Sequence, residues 1–115
     1  MFINLCKSKI QGAIVNEKKL NYAGSITIAQ ELLKAADILP NEKVQVLNFN
    51  NGKRFETYVI LGKENTGICL NGPAARLGEV GDKLIIISYG LFKKDELIDF
   101  KPKIIYLDKQ NKINY

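Results

Sequence analysis

The sequence contains no histidine and no tryptophan, and only two cysteines and three prolines in 115 residues. The lack of histidine excludes a histidine-based catalytic triad and histidine metal ligands, and it removes the side chain most often used as a general base. Two cysteines, Cys6 and Cys69, are too few for a four-cysteine zinc site or for the disulfide framework of a small secreted domain. We therefore expect no metal site, and two reduced thiols that pack inertly.

Long apolar runs are also absent. The longest strongly apolar run, residues 84–87, has the length of a strand and is far too short to span a membrane. The amino terminus lacks the basic start, apolar stretch and small-residue cleavage site of a secretion signal, so we expect a cytoplasmic protein. The composition, with 46% hydrophobic and 25% charged residues, is that of an ordinary soluble domain, and the length suits one domain.

The formal net charge of +5 raises the question of nucleic-acid binding. The 17 basic residues are spread along the chain and mixed with 12 acidic ones. Arginine occurs only at positions 54 and 76, and the aromatic residues are scattered. A barrel that binds single-stranded nucleic acid would instead interleave arginine and aromatic residues on one face. Solvated surface lysines are the favoured interpretation, and a small basic barrel that binds single-stranded nucleic acid stays an alternative.

Short β-type segments separated by turn residues dominate the chain. One helix is predicted at residues 29–36, where apolar residues recur at helical spacing, and Pro40 prevents it from continuing. Asn50-Asn51-Gly52 predicts a tight hairpin with left-handed residues in its turn, and Pro73 can begin a short helical turn. Strands are predicted at residues 9–15, 25–28, 43–48, 54–61, 68–70, 83–89 and 104–107. Six or so strands with one helix favour a mainly β fold, a small closed barrel.

Four blocks of sequence carry a resemblance to a known family. They are residues 20–28, 51–58, 71–76 and 80–82, and Lys9-Ile10 precedes them. In this order and at this spacing they closely resemble the bacterial aspartate 1-decarboxylases over nearly the whole chain. The resemblance implies a six-stranded double-psi β-barrel with short helices, assembled as a homotetramer with active sites between neighbouring subunits. It also implies a single domain, residues 1–115, that cuts itself into residues 1–24 and 25–115.

The resemblance further implies the reaction and its residues. L-aspartate would be converted into β-alanine and carbon dioxide, for pantothenate biosynthesis, with a covalent pyruvoyl group as the cofactor and no metal. Ser25, in the Gly24-Ser25 bond, would become the pyruvoyl group, Tyr58 would donate a proton, and Thr57 would be a polar contact near the reacting carbonyl. The substrate would be held by the charges of Lys9 and Arg54, and its site would be lined by Asn71, Gly72, Pro73 and Ala74.

The chemistry explains why such residues are needed. Decarboxylation of an α-amino acid leaves a carbanion that no natural side chain can delocalise, so a carbonyl cofactor is required as an electron sink. A serine can supply it if its hydroxyl attacks the preceding carbonyl, and a glycine at position 24 leaves room for that approach. A neutral hydroxyl is a poor nucleophile, so strain or a polarising donor such as Thr57 must help. Taken alone, Gly24-Ser25 is a turn before a strand; the other blocks favour self-cleavage.

The faces of one predicted strand raise a difficulty. On an ideal strand Arg54 and Tyr58 share a face, whereas Thr57 points to the other. A bulge, a twist, or the use of both faces at a subunit interface would bring them to one site, and the sequence leaves these three open.

Four positions depart from the family pattern. Gln11 and Asn21 stand where the family commonly has histidine, and Ala29 replaces an acidic residue, so the helix start loses a capping carboxylate. Pro73 replaces a residue with a backbone N–H, so any substrate hydrogen bond from it is lost. We expect these changes to affect the rate and efficiency of processing rather than the reaction type. Whether a maturation factor promotes cleavage stays open, and a silent barrel that never cuts itself is a third alternative.

Overall fold

The computed structural model describes residues 1–115. It contains seven strands, one α-helix and two short 3-10 helices. The strands are β1 (Ile3–Lys19), β2 (Ser25–Ala29), β3 (Lys43–Asn48), β4 (Arg54–Gly62), β5 (Ile68–Asn71), β6 (Lys83–Phe92) and β7 (Lys103–Tyr106). The α-helix is α1 (Gln30–Ala36), and the 3-10 helices span Gly72–Arg76 and Lys94–Leu97.

Six of the seven strands close into a barrel, which confirms the predicted mainly β fold. Neighbours are hydrogen-bonded in the order β5, β2, β4, β3, β6, β1, and β1 pairs again with β5 to complete the ring. Within the ring β1 is parallel to β5 and β2 is parallel to β4, and the other pairs are antiparallel. The remaining strand, β7, lies parallel to β1 outside the ring. Closure removes the free strand edges that an open sheet would expose.

β1 is much longer than the predicted strand at residues 9–15, since it runs over Ile3–Lys19. Its register with β6 shifts between Cys6 and Ser8 and again between Gln11 and Ala13. Each such bulge inserts a residue and exchanges the positions that face the core. The alternation of apolar and polar residues is interrupted at each bulge. The sequence pattern therefore predicts only the part of the strand that lies around residues 9–15.

β3 and β4 form the predicted antiparallel hairpin. The prediction for its turn is wrong in detail, because only Gly52 of the three turn residues has a positive φ, 74°. The two asparagines act through their side chains instead. Asn50 Oδ1 accepts a hydrogen bond from the Lys83 N–H at 2.8 Å, and Asn51 Oδ1 accepts one from the Lys53 N–H at 2.9 Å.

One apolar core fills the barrel. Its members Ile10, Ile26, Val46, Ile68 and Ile86 come from five different strands and have no exposed surface. Burying each such side chain contributes about 1.5–3 kcal/mol to folding. The core therefore fixes the strands whose ends carry the candidate site.

The helix α1 packs against this barrel with the buried side chains of Leu32, Leu33 and Ala36. It begins after Ala29, which makes no side-chain hydrogen bond to the helix start, in agreement with the expected loss of a capping carboxylate. The helix ends at Ala36, and the capping residue Asp37 that follows it has a left-handed backbone. No helix of the structure combines the length and the apolar character that crossing a membrane requires.

Candidate active site

The Gly24-Ser25 bond lies where a bend, residues 20–24, leads into β2. Gly24 has a φ of 94°, in the left-handed region that glycine adopts at little cost. Ser25 is the first residue of β2 and is fully buried. The bond therefore joins a left-handed glycine to a serine whose hydroxyl is shielded from bulk water.

The side chain of Asn71 holds the hydroxyl of Ser25. Asn71 ends β5 and lies directly opposite Ser25 in the antiparallel pair of β2 and β5. Its Nδ2 donates to Ser25 Oγ at 2.9 Å and to Thr27 Oγ1 at 2.9 Å, and its Oδ1 accepts from the thiol of Cys69 at 3.2 Å. Asn71 is itself buried, so it touches the serine rather than an open substrate site.

Gly72 brings the end of β5 against the backbone of residues 22–24. Its φ is 63°, and a Cβ at this position would lie 2.3 Å from the Tyr22 carbonyl oxygen and 2.6 Å from the Gly24 nitrogen. No side chain fits into so close a backbone approach. The ring of Pro73 lies next to Gly24: a Cβ built on Gly24 would be 3.3 Å from Pro73 Cδ.

A surface pocket of about 340 Å³ opens beside Gly24. It contains five of the predicted site residues and adds an acidic and two apolar side chains. The lining residues are Gly24, Phe55, Glu56, Thr57, Tyr58, Pro73, Ala74 and Leu77. The structure thus brings the bond predicted to be cut, the predicted proton donor and the predicted polar contact to one place.

Thr57 and Tyr58 reach this pocket from opposite faces of β4. Thr57 is half-buried, between the exposed side chains of Glu56 and Tyr58, as the alternation of a regular strand requires. No register shift interrupts the pairing of this part of β4 with β3. A bulge is therefore excluded as the explanation, and the pocket draws on both faces of the strand.

Lys9 and Arg54 do not line this pocket in the single chain. Arg54 is exposed, and its Nη1 donates to Gln45 Oε1 at 2.7 Å. Lys9 is half-buried in β1, opposite Ile87 of β6. In one chain the basic pair therefore lies outside the pocket that Tyr58 lines.

Of the two residues at histidine positions, Gln11 is half-buried within β1 and Asn21 is exposed in the bend. Neither lines the pocket beside Gly24.

Two residues at the site escaped prediction, Thr27 and Cys69. Both contact the amide of Asn71. One signal was available in the sequence. Thr27 is two residues from Ser25, and Cys69 is two residues from Asn71, and residues two apart lie on the same face of a strand. Burial raises the pKa of the Cys69 thiol, and the carboxylate of Glu17 adds to that effect. The thiol is therefore protonated near neutral pH and serves as a donor.

Fold and site together define a small closed β-barrel protein with a candidate active site at one Gly-Ser junction. Comparison with known proteins gives its family: the family model for aspartate decarboxylase matches residues 1–114. The chain belongs to the aspartate decarboxylase family, which confirms the resemblance carried by the four blocks.

Individual relatives are similar to this chain along nearly their whole lengths. An aspartate 1-decarboxylase of Caldicellulosiruptor bescii is 60% identical over 98% of this chain and 89% of the relative. One of Acetivibrio thermocellus is 59% identical over 98% and 90%, and one of Thermoanaerobacter pseudethanolicus is 58% identical over 94% and 93%.

Proposed function

We propose that this protein is a carboxy-lyase that converts L-aspartate into β-alanine and carbon dioxide, and so supplies β-alanine for pantothenate biosynthesis. To do so it would first cut its own chain between Gly24 and Ser25. The observation that carries the proposal is the buried Ser25, which follows a left-handed glycine and whose Oγ accepts a hydrogen bond from Asn71 at 2.9 Å. Membership of the family favours this function over nucleic-acid binding.

Self-cleavage needs only the chain and one water. Ser25 Oγ attacks the carbonyl carbon of Gly24, an ester C–O bond replaces the amide C–N bond, and the hydroxyl proton moves to the released nitrogen. Elimination then takes the α-proton of residue 25, expels the carboxylate of Gly24 and leaves a dehydroalanine. Water adds to this residue and ammonia leaves, so that residue 25 ends as a ketone, the pyruvoyl group.

Three residues support the first step. The positive φ of Gly24 and its missing Cβ leave the carbonyl accessible to the hydroxyl. The N–H of Asn71 points at Ser25 Oγ, where negative charge develops as the proton leaves. Thr57 lines the pocket next to Gly24, where its hydroxyl can polarise the carbonyl.

The residues present fit a pyruvoyl group at position 25. The buried amide of Asn71 and the close backbone of Gly72 would hold it. When formed, this group supplies the electron sink that decarboxylation of an amino acid requires. Tyr58 Oη would return a proton to the reacting carbon, since its phenol lines the pocket and no histidine is available. Pro73 and Ala74 would form the wall of the substrate site.

The assembly forms part of the proposal. Lys9 and Arg54 suit the two carboxylates of aspartate, since lysine offers a mobile point charge and arginine a planar fork. A homotetramer would bring them to the pocket from neighbouring subunits. Large apolar side chains are exposed in the single chain, among them Leu20, Tyr22 and Phe49, and such exposure supports burial between subunits. We also propose a cytoplasmic location, in keeping with two cysteines that form no disulfide.

A denaturing mass measurement tests the cleavage. The expected result is two fragments, residues 1–24 and 25–115, with the larger one blocked at its amino terminus. Borohydride in the presence of aspartate should then add substrate mass to the larger fragment. Ser25→Ala should abolish both results, and the matched control Ser8→Ala, at a serine that is equally buried but lies elsewhere, should keep both. A chain that stays uncut after long incubation would contradict unaided processing, and activity in Ser25→Ala would refute the mechanism.

A further inference from the structure

The thiol of Cys69 is a buried group for which the mechanism above has no use. Cys69 and Asn71 lie on β5, two residues apart, and face Thr27 and Ser25 on β2 in the antiparallel register. The four side chains form one cluster on the same face of this strand pair. Within it, Asn71 makes three hydrogen bonds, to Ser25, Thr27 and Cys69.

An asparagine amide can be rotated by half a turn, which exchanges its donor with its acceptor. The hydroxyls of Ser25 and Thr27 do not select an orientation, because a hydroxyl both donates and accepts. The thiol does select one. It is protonated at neutral pH because burial raises its pKa, and sulfur is a poor acceptor. The amide oxygen must then face Cys69 and the amide nitrogen must face Ser25.

The orientation of the amide decides how Ser25 can react. In the observed orientation Oγ accepts an N–H, so that its own proton is free to leave and the developing negative charge is stabilised. In the reversed orientation the carbonyl oxygen of Asn71 would bind the hydroxyl proton and repel that charge. Two other acceptors lie near the thiol, the Leu70 carbonyl at 3.9 Å and the carboxylate of Glu17, which lies opposite Cys69 on β1. Asn71 Oδ1 lies at 3.2 Å from the sulfur.

We propose that Cys69 is a positioning residue for self-cleavage, whose thiol fixes the amide of Asn71 so that Ser25 Oγ accepts and keeps its proton for transfer. The inference rests on the proposed self-cleavage. It replaces the expectation that Cys69 packs inertly.

The rate of cleavage in the full-length chain tests the role. Freshly purified protein is followed by denaturing mass measurement as the intact chain disappears. Cys69→Ala and Cys69→Val both remove the donor, and each should slow cleavage about three- to tenfold, as expected for the loss of one hydrogen bond. Cys69→Ser keeps a donor, whose shorter hydrogen bond of about 2.7 Å offsets its shorter side chain, and it should cleave within about twofold of the unchanged protein. Cys6→Ala is the matched control, because that thiol donates to the Ser8 carbonyl away from the site, and it should change nothing.

The outcomes separate the role from packing and from the proposed function. Equal slowing by serine and alanine would assign the effect to packing and overturn the inference, as would unchanged cleavage in both the alanine and the valine variants. Asn71→Asp offers a second test, since a carboxylate has no amide to orient. Adding Cys69→Ala to Asn71→Asp should therefore slow cleavage no further, and an additive effect would contradict the inference. If the unchanged protein does not cleave, the proposed function itself fails, whereas cleavage unaffected at position 69 refutes only the role of the thiol.

Discussion

Replacing Gly72 by alanine should displace the peptide bond that we propose to be cut. The new Cβ would lie 2.3 Å from the Tyr22 carbonyl oxygen and 2.6 Å from the Gly24 nitrogen. Both atoms belong to the backbone and cannot rotate away as a side chain would. The segment that carries Gly24 must therefore move, or the end of β5 must move, and either shift would separate Ser25 from the carbonyl that we propose it attacks.

The free-energy cost has two parts. A left-handed backbone costs an alanine about 1–2 kcal/mol, and crowding in a packed region costs about 1–3 kcal/mol more, so we expect a loss of about 2–5 kcal/mol. Gly52→Ala is the matched control. Gly52 also has a positive φ, 74°, but a Cβ there would meet nothing within 4 Å. It should cost about 1–2 kcal/mol, the backbone part alone.

Two assays measure the two effects. Denaturant unfolding gives the loss of stability, with both variants made in a Ser25→Ala background so that every chain is intact. The protein concentration is kept equal, because association raises apparent stability. With Ser25 present, Gly72→Ala should cleave much more slowly than Gly52→Ala. Equal destabilisation by the two substitutions, or unchanged cleavage in Gly72→Ala, would refute the reasoning from close backbone approach.

Three further predictions concern the pocket, the substrate charge and acid stability. Tyr58→Phe should leave cleavage intact but lower kcat for β-alanine formation about 10²–10⁴-fold, because the proposed proton donor is lost; an unchanged kcat would exclude that role. Arg54→Lys should raise KM for aspartate more than it lowers kcat, because the planar fork is lost, and an unchanged KM would remove Arg54 from the substrate site. Hydrogen bonds from the side chain of Asn48 and from the Glu79 N–H lower the pKa of Asp82 below its ordinary value of 3.8. The ionised Asp82 therefore stabilises the fold above that value, and this contribution is lost as the pH falls through the lowered pKa. In Asp82→Asn the unfolding midpoint should therefore fall less steeply as the pH is lowered through this range.

Much of the fold could be predicted from local pattern. The hairpin of β3 and β4 and the helix α1 depend on turn residues, helix formers and apolar spacing, all of which are local. The strand predicted at residues 104–107 is present as β7, but its place outside the ring and the full length of β1 could not be predicted in the same way. The bulges near Cys6 and Gln11 arise from pairing with β6, and a pattern along one strand contains no information on its partner.

The candidate site could also be predicted only in part. The predicted Gly24, Thr57, Tyr58, Pro73 and Ala74 do line one pocket. Their meeting follows from the order of the strands, which the resemblance supplied and composition did not.

Contacts across strands or between subunits were beyond the reach of the sequence. Thr27 and Cys69 gain significance only when β2 lies beside β5 in the observed register. The separation of Lys9 and Arg54 from the pocket in one chain marks a different limit, because a site shared between subunits, as we propose, would not be contained in the fold of either.

After the proposed cleavage, β1 would be held in the barrel by noncovalent contacts alone. The fragment 1–24 would contain the whole of β1, which is hydrogen-bonded to β5, β6 and β7. Cleavage would thus turn one chain into a complex of two, in which the smaller piece remains as a bound peptide. Folding of the intact chain is unimolecular, but reassembly of the separated pieces would be bimolecular and would slow down on dilution. A mature molecule that loses its first strand could not easily recover it, so its durability would depend on how rarely β1 dissociates.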